Sequence, residues 1–247
     1  MKGMVVAPQP EAVEAGLEAF ERGGNVMDAA VTAAFVQTVV DPQMCGIAGF
    51  GSMQVYIEKL KKHTSIDFHG RAPRNSREGM WEKLIDGVCD DGFGYILKGR
   101  INEFGYQSLT TPLTLKALNL AQGMFGKLRF GDTMESAIKY CNDGFMVRPR
   151  LHAFWMAPEQ AGRMARISVI NKLEATKKIY LDKNGRSPKI GDTLKNPDMG
   201  KLYKRISNEG IGIFYEGDIA DTIEKDMQIN GCLLYTSDAA DEGLGVD

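Results

Sequence analysis

One segment near the start of the chain, residues 25–40, constrains the fold more than any other. Asn25 is suited to cap a helix, Asp28 would stand near the positive end of the helix dipole, and residues 29–40 are almost wholly apolar and rich in alanine. A helix of this composition has no polar face, so it must be buried on most sides. The small side chains allow a sheet or another helix to approach closely, and the Asp-Pro pair at 41–42 ends the helix. The sequence therefore predicts a core helix here.

The flanking segments predict the elements beside this helix. Residues 4–7 form a short apolar run closed by prolines, which is typical of a buried strand. Apolar side chains at helical spacing then predict an amphipathic helix from Pro10 to the Gly-Gly pair at 23–24. After the core helix, residues 53–57 and 65–68 alternate between apolar and polar side chains, which predicts the two strands of a hairpin.

Helical spacing recurs in the second half of the chain. Asp132 with Glu135 gives a capping-box-like start to one helix, and Asn196 with Pro197 is suited to cap and start another. Together the patterns predict helices over residues 112–124, 132–144, parts of 150–181, 197–208 and 217–227. Residues 74–106 contain many glycines and no clear period, so we assign no element there.

The segment 43–51 is glycine-rich and invites comparison with a phosphate-binding loop. Such a loop needs its glycines between a strand and the start of a helix, so that backbone N–H groups and the helix dipole face the phosphate. Here the glycines follow a helix and lead into a strand, which is the reverse order. We therefore interpret the segment as a tight turn or a close backbone contact.

Charge and apolar runs argue against two classes of partner. The 247 residues carry 30 lysines and arginines against 32 aspartates and glutamates, so no overall field would draw the protein to nucleic acid or to an anionic membrane. No apolar run reaches the ~20 residues that a membrane span needs, and no signal-peptide core follows Met1. Either the protein is not exported or its true start is missing.

The four cysteines lie far apart and form neither a C-x-x-C pair nor a disulfide framework. We therefore expect no metal site, no disulfide staple and no cofactor.

The predicted hairpin ends on unusual chemistry. His69 and Arg71 follow its second strand, two residues apart and close to Asp67. Strand ends are frequent positions for functional groups, so this one is a candidate site. In the alternative interpretation, His69 and Arg71 only pair with Asp67 or with solvent.

The end of the chain breaks with the rest. Residues 232–247 continue no earlier pattern, are acidic and end in small residues, and they resemble translated sequencing-adapter sequence. We leave them out of the fold prediction, as one would a tag. We therefore expect one domain over residues 1–231 and a non-native tail over residues 232–247.

The order of several short stretches is the most specific feature of the sequence. They are GMVVAPQP at 3–10, AGL at 15–17, GGNVMDAAV at 23–31, the glycine-rich loop at 41–51, DGF at 143–145, VRPRL at 147–151, GDTLKNPD at 191–198 and FYEGDIA at 214–220. Together, over residues 3–231, they resemble the large subunit of the γ-glutamyltranspeptidase (glutathione hydrolase) family, within the N-terminal-nucleophile hydrolase superfamily.

The resemblance implies an α/β (α+β) fold. In this family it is an αββα sandwich, with two antiparallel sheets between helix layers, which would be incomplete in this fragment. Residues 1–231 would then be part of the large subunit of a precursor that cuts itself into large and small subunits. The implied partners are the missing small subunit of the same precursor and a small-molecule γ-glutamyl substrate such as glutathione. Family members are often periplasmic or extracellular.

The resemblance also implies the chemistry. The family's nucleophile is a threonine at the new N-terminus of the small subunit, whose hydroxyl attacks an amide carbonyl while its own α-amine takes the proton. That threonine lies downstream of the matched region, so we assign no catalytic residue here and expect this chain alone to be inactive. The internal threonines are expected to be strand, cap or turn residues: Thr32, Thr64, Thr110, Thr111 and Thr193.

For the strand end, the resemblance suggests substrate binding by His69 and Arg71. In the family, an arginine directly after an Asp-Phe pair holds the α-carboxylate of the glutamyl group, and His69 occupies that position here. An arginine binds a carboxylate through two parallel hydrogen bonds, whereas a histidine side chain with an ordinary pKa of ~6.5 is mostly neutral at pH 7 and offers one donor. Either Arg71, two residues along the same strand face, takes over the carboxylate, or the enzyme prefers another acyl group.

The leading hypothesis is thus a fragment of a γ-glutamyltransferase or glutathione hydrolase. One alternative is a related N-terminal-nucleophile acylase or amidase with a non-glutamyl donor. The other is a non-catalytic binding module, which would follow if the complete gene lacks the threonine nucleophile.

Overall fold

The computed structural model describes residues 3–233 and 244–246. Its α-helices are α1 (Pro10–Glu21), α2 (Val26–Val40), α3 (Thr114–Phe125), α4 (Glu135–Asp143), α5 (Pro149–Trp155), α6 (Arg166–Ile170), α7 (Glu174–Tyr180), α8 (Pro197–Glu209), α9 (Gly212–Tyr215) and α10 (Asp218–Ile229). Its strands are β1 (Gly51–Ile57), β2 (Lys62–Phe68), β3 (Ile85–Val88), β4 (Tyr95–Leu97), β5 (Phe145–Met146), β6 (Thr193–Leu194) and β7 (Gly245–Val246). Short 3₁₀ helices occupy Glu58–Leu60, Glu82–Leu84, Lys98–Arg100 and Phe130–Met134.

Helix α2 forms the centre of the fold, as its composition predicts. Nearly all of its side chains are buried, and it packs against α1, α3 and α4. Phe35 meets the rings of Tyr203 and Phe130 edge-on, at centroid distances of 5.7 and 5.6 Å. The Tyr203 hydroxyl is hydrogen-bonded to Thr38 inside this core. The predicted core helix is therefore confirmed.

The start of α2 is held by a capping box. The Asn25 side chain accepts hydrogen bonds from Met27 N and Asp28 N, and Asp28 accepts one from Asn25 N at 2.6 Å. Asp28 is fully buried, and its carboxylate also accepts hydrogen bonds from Lys127 N, Leu128 N and the Gln122 side chain just beyond and within α3. One side chain thus caps α2 and fixes the end of α3 against it.

The predicted hairpin is also confirmed, as β1 and β2. The two strands pair antiparallel from Gly51 opposite Phe68 to Ile57 opposite Lys62, and β7 pairs antiparallel with the other edge of β2, at Ile66 and Asp67. Along β2, Ile66 and Phe68 point into the core while Asp67 is exposed. Two-stranded ribbons, β3 with β4 and β5 with β6, complete the pairing among the described strands.

Two local predictions were wrong. Residues 4–7 form no strand: Met4 and Val6 are both 84% exposed, and only the alternate side chains Val5 and Ala7 pack on the core. An apolar run becomes a strand only where another strand pairs with it, and no described strand runs beside this one. Asp132 caps no helix, because a 3₁₀ helix precedes α4 and Met134 occupies its N-cap position without a side-chain hydrogen bond.

The remaining helix predictions agree with the structure to within a few residues. The unassigned region 74–106 contains the ribbon β3–β4 between two 3₁₀ helices. Most of the expected non-native tail, 232–247, lies outside the described residues, and the division of the chain at residue 231 stays a prediction. No helix in the described part of the chain is both long and apolar enough to cross a bilayer.

Candidate functional site

The end of β2 brings the two candidate residues and an aspartate into one charged cluster. Asp67 is the last outward-facing residue of β2, and His69 and Arg71 follow it with exposed side chains. Because β2 ends at Phe68, Arg71 lies three residues past the strand and is held by other contacts. The guanidinium charge of Arg71 helps to lower the pKa of Asp67, which puts all three groups within electrostatic reach of one another.

His69 is bound to Asp67 through two donors. Its backbone N donates to Asp67 Oδ1 at 3.0 Å, and its Nδ1 lies 2.7 Å from the same oxygen. These hydrogen bonds, from the backbone first and the ring second, lower the pKa of the Asp67 carboxyl below its ordinary value. An ionised carboxylate can only accept, so Nδ1 carries the proton and Nε2 is the ring nitrogen left for another partner. Phe50 lies beside the imidazole, with ring centroids 6.3 Å apart.

A second chain segment fixes the backbone of Arg71. Arg71 N donates to Thr111 Oγ1 at 2.8 Å, and the Arg71 carbonyl accepts from Thr110 Oγ1 at 2.7 Å and from Thr111 N at 3.3 Å. We call these contacts the Arg71 latch. Gly70 makes them possible, because a Cβ atom at this position would lie 2.3 Å from Thr110 Oγ1. The latch holds the Arg71 backbone while its side chain reaches toward solvent.

The latch residues carry no recognisable sequence signal. Thr110 and Thr111 stand about forty positions from Arg71, and each reads as an ordinary turn residue before a helix. Only the close approach of the two segments gives their hydroxyls a common partner.

The glycine-rich loop presents carbonyl groups, and not N–H groups, to the nearest helix start. The Gly49 carbonyl accepts from Leu113 N and Thr114 N at 3.0 and 3.1 Å, and the Ile47 carbonyl accepts from Leu115 N at 3.1 Å. The donors at the start of α3 that would attract an anion are therefore occupied. Across residues 3–233 and 244–246, no group of three or more His, Cys, Asp or Glu side chains is placed to hold a metal ion.

Comparison with known proteins identifies the family. The family model described as Gamma-glutamyltranspeptidase matches residues 12–241. The chain is 30% identical over 246 residues to the glutathione hydrolase proenzyme of Bacillus subtilis strain 168, covering 99% of this chain and 39% of that protein. It is also 30% identical over 239 residues to the acylase ACY 1 proenzyme of Pseudomonas sp. strain SE83, covering 97% of this chain and 40% of that protein. The chain thus spans about two fifths of the length of these relatives.

The fold agrees with this assignment. The crystal structure of Helicobacter pylori γ-glutamyltranspeptidase superimposes with a TM-score of 0.85 at 25% sequence identity, covering 100% of this chain and 66% of that one. The predicted mixed helix-and-sheet fold of the N-terminal-nucleophile hydrolases is therefore confirmed, as a part of the larger architecture. From the matched residues and the shared fold, the chain belongs to the γ-glutamyltranspeptidase family.

Proposed function

We propose that this chain is the front part of the large subunit of a self-processing γ-glutamyltransferase or glutathione hydrolase. The observation that carries the proposal is the family match over residues 12–241, together with relatives named glutathione hydrolase proenzyme that align with almost the whole chain. The complete protein would cleave γ-glutamyl amides such as glutathione and pass the acyl group to water, amino acids or peptides. Its other subunit, cut from the same precursor, would supply the threonine nucleophile.

In this proposal the chain contributes to donor binding at the end of β2. A γ-glutamyl donor carries an α-carboxylate, and the Arg71 guanidinium is the permanently charged planar group at this strand end. The latch holds its backbone, so less conformational freedom is lost when the side chain binds. Arg71 is the better candidate for the carboxylate because its charge is permanent and its planar fork can donate two parallel hydrogen bonds, whereas His69 offers one donor at a time.

A second candidate function is an acylase that takes a non-glutamyl donor. The pairing of His69 with Asp67 favours this function. His69 occupies the position of the family's carboxylate-binding arginine, and here its ring is hydrogen-bonded to the Asp67 carboxylate. The identity of 30% to the acylase ACY 1 proenzyme equals the identity to the Bacillus subtilis glutathione hydrolase proenzyme, so overall similarity does not separate the two donors.

The first test is self-processing followed by donor choice. The complete precursor is expressed, and a denaturing gel is expected to show two bands that arise from one. The processed enzyme is then given γ-glutamyl-4-nitroanilide and 4-aminobutyryl-4-nitroanilide, which differ only in the α-carboxylate. A strong preference for the first supports γ-glutamyl transfer. Equal turnover of both would favour the acylase, and a precursor that neither cuts itself nor turns over any anilide would favour a non-catalytic role.

The second test separates the two site residues. We expect Arg71→Ala to raise KM for γ-glutamyl-4-nitroanilide by about tenfold or more, because a charge-assisted bidentate contact is lost, with partial recovery in Arg71→Lys. His69→Ala should change KM much less. Lys62→Ala removes an exposed cation at the other end of β2 and serves as the matched control. A larger rise in KM in His69→Ala than in Arg71→Ala would contradict the assignment of carboxylate binding to Arg71.

A further inference from the structure

Helices α5, α6 and α7 surround a pocket that is separate from the end of β2. We call it the α5–α7 pocket, and its volume is about 190 Å³. An apolar cavity of about 150 Å³ holds benzene, so this pocket has room for one aromatic ring with a short substituent. Its walls come from all three helices and from the segment after α2, and they include Pro42, Phe154, Trp155, Val169, Ile170 and Tyr180.

Aromatic side chains form much of the wall. The rings of Trp155 and Tyr180 meet at a tilt, with their centroids 5.9 Å apart. The Arg166 guanidinium lies over the Phe154 ring, 5.4 Å from its centroid, and both residues line the pocket. A flat ring in the pocket can therefore contact other rings on its face or its edge, with a cation close by.

Three of the lining side chains carry hydrogen-bond donors that have no acceptor. The Trp155 side chain is only 3% exposed, yet its indole N–H reaches no acceptor within the part of the chain that the structure describes. Among the same residues the Tyr180 hydroxyl makes no hydrogen bond, and the Arg166 guanidinium forms no ion pair. Burial raises the pKa of Tyr180, so its hydroxyl stays protonated and can donate. Indole and guanidinium groups can only donate, so these groups together require an acceptor.

The acidic side chains near Arg166 are bound to other arginines. Arg166 also lines a neighbouring cavity, together with Glu103 and Arg163. There the Glu103 carboxylate binds Arg100 at 2.6 Å, and Arg163 binds the Asp91 carboxylate at 2.6 Å. The charge of Arg166 is therefore the one in this group that is left for a ligand.

Helices α6 and α7 also lack a well-packed core of their own. None of their side chains is fully buried, and they contact the rest of the fold through partly buried residues such as Ile170 and Tyr180. A ligand in the pocket would lie against both helices. Because it would bind the folded protein and not the unfolded chain, it would also raise the melting temperature.

We propose that the α5–α7 pocket binds a small aromatic carboxylate, with its ring against the aromatic walls and its carboxylate on Arg166 and the Trp155 N–H. The pocket volume limits the ligand to a single ring. An anion is favoured because the described lining residues include a cation and unpaired donors but no acidic side chain. The inference does not depend on the proposed function, since Asp67, His69 and Arg71 are absent from this lining.

Calorimetric titration of the complete processed protein tests the charge of the ligand. The probes are phenylacetate and phenylacetamide, which have nearly the same shape but differ in charge. We expect phenylacetate to bind with a Kd of about 1 mM or lower, and phenylacetamide to bind about tenfold more weakly. Arg166→Gln should raise the Kd of phenylacetate about tenfold and leave that of phenylacetamide unchanged. Lys172→Gln is the matched control, because it removes a cation that also lies 5.4 Å from a ring centroid, that of Phe104, but lines no part of this pocket.

A second pair of variants tests the place of binding. Thr176 lines the pocket, so Thr176→Phe should fill it and abolish saturable binding of phenylacetate. Ala175→Phe adds the same ring at an exposed neighbouring position on α7 and should leave the Kd unchanged. Melting curves without ligand establish that each variant is folded, and if Thr176→Phe is not, Arg166→Gln still decides. No saturable binding to the wild type, or an unchanged Kd of phenylacetate in Arg166→Gln, would overturn the inference.

Discussion

Asp28 and Asp67 make the same local contact in opposite surroundings. Each carboxylate accepts a backbone N–H from a residue two or three positions away, Asn25 for Asp28 and His69 for Asp67. Asp28 is fully buried and accepts further hydrogen bonds from the segment that ends α3, whereas the Asp67 side chain is 65% exposed and its carboxylate accepts hydrogen bonds from the neighbouring His69. Burial and long-range donors thus make Asp28 a stabilising residue, whereas the exposed carboxylate of Asp67 can alter the electrostatics of the site at little cost in stability.

The largest expected effect is on the buried member of this pair. Asp28→Ala leaves the N–H groups of Lys127 and Leu128 and the Gln122 amide without their acceptor in the core, and we expect a loss of ~3 kcal/mol in the free energy of unfolding. Urea denaturation of the protein measures it. Asp86→Ala, at an exposed position, is the control and should be near neutral. A loss below ~1 kcal/mol in Asp28→Ala would mean that water or rearrangement satisfies the donors.

At acidic pH, the difference in the free energy of unfolding between the wild type and Asp28→Ala should become smaller. Burial alone would raise the pKa of Asp28, but the hydrogen bonds from Asn25, Gln122, Leu128 and Lys127 outweigh it and hold the pKa below its ordinary value. A depressed pKa in the folded state gives stability that is present above the unfolded pKa of ~3.9 and is lost as pH falls through the folded value. Urea melts from pH 7 to pH 3 measure the gap between the two proteins. A gap that widens on acidification would contradict this account.

An intermediate effect on stability is expected at Gly70, which lies between the candidate site and the Arg71 latch. Gly70→Ala places a Cβ atom against Thr110, so the latch must open or shift, at a cost of ~1–3 kcal/mol in the free energy of unfolding. Because the Arg71 backbone moves with the latch, KM for the γ-glutamyl donor should rise as well. Gly46→Ala is the matched control, since a Cβ atom there meets nothing within 4 Å. If thermal melts and KM both match the wild type, the latch is not required.

The smallest effect on stability is expected at the exposed aspartate. Asp67→Asn removes a charge that lies in solvent and pairs with His69, so the melting temperature should not change measurably. The same substitution removes a negative charge beside the proposed carboxylate site, and KM for γ-glutamyl-4-nitroanilide should fall about two- to threefold. Ser65→Ala on the same strand is the control. A marked drop in melting temperature would show that the two aspartates are more alike than their exposure indicates.

The sequence predicts the local half of this comparison and not the long-range half. The role of Asn25 and Asp28 at the start of α2 follows from spacing along one helix, so it is readable from the chain itself. The hydrogen-bond donors between Gln122 and Leu128 reach Asp28 only when α3 packs against α2. No local sequence pattern predicts these contacts. In the same way, Thr110 and Thr111 could not be assigned to Arg71 before the two segments were seen together.

The two wrong predictions have a related cause. The apolar run at residues 4–7 indicates that these side chains can be buried. A β-strand forms, however, only where a second strand lies beside it and provides hydrogen-bond partners. Asp132 and Glu135 have capping-box spacing, yet the chain enters α4 through a 3₁₀ helix. In this 3₁₀ helix the Asp132 carbonyl accepts a hydrogen bond from the side chain of Arg22, a residue far away in the sequence. For the site, the sequence placed His69 and Arg71 on one face of a strand, but β2 ends at Phe68, so both residues lie beyond the strand.

The Arg71 latch also constrains how the protein can evolve. Residues on the two sides of the latch are joined by hydrogen bonds, so a substitution that alters recognition at the strand end is expected to change the fitness effect of substitutions around Thr110, and the reverse. Mutational paths toward a new donor are then expected to be order-dependent, with changes tolerated in one background and rejected in another. Libraries that vary residues 69–71 together with residues 107–111 should reach new specificities that either set alone cannot.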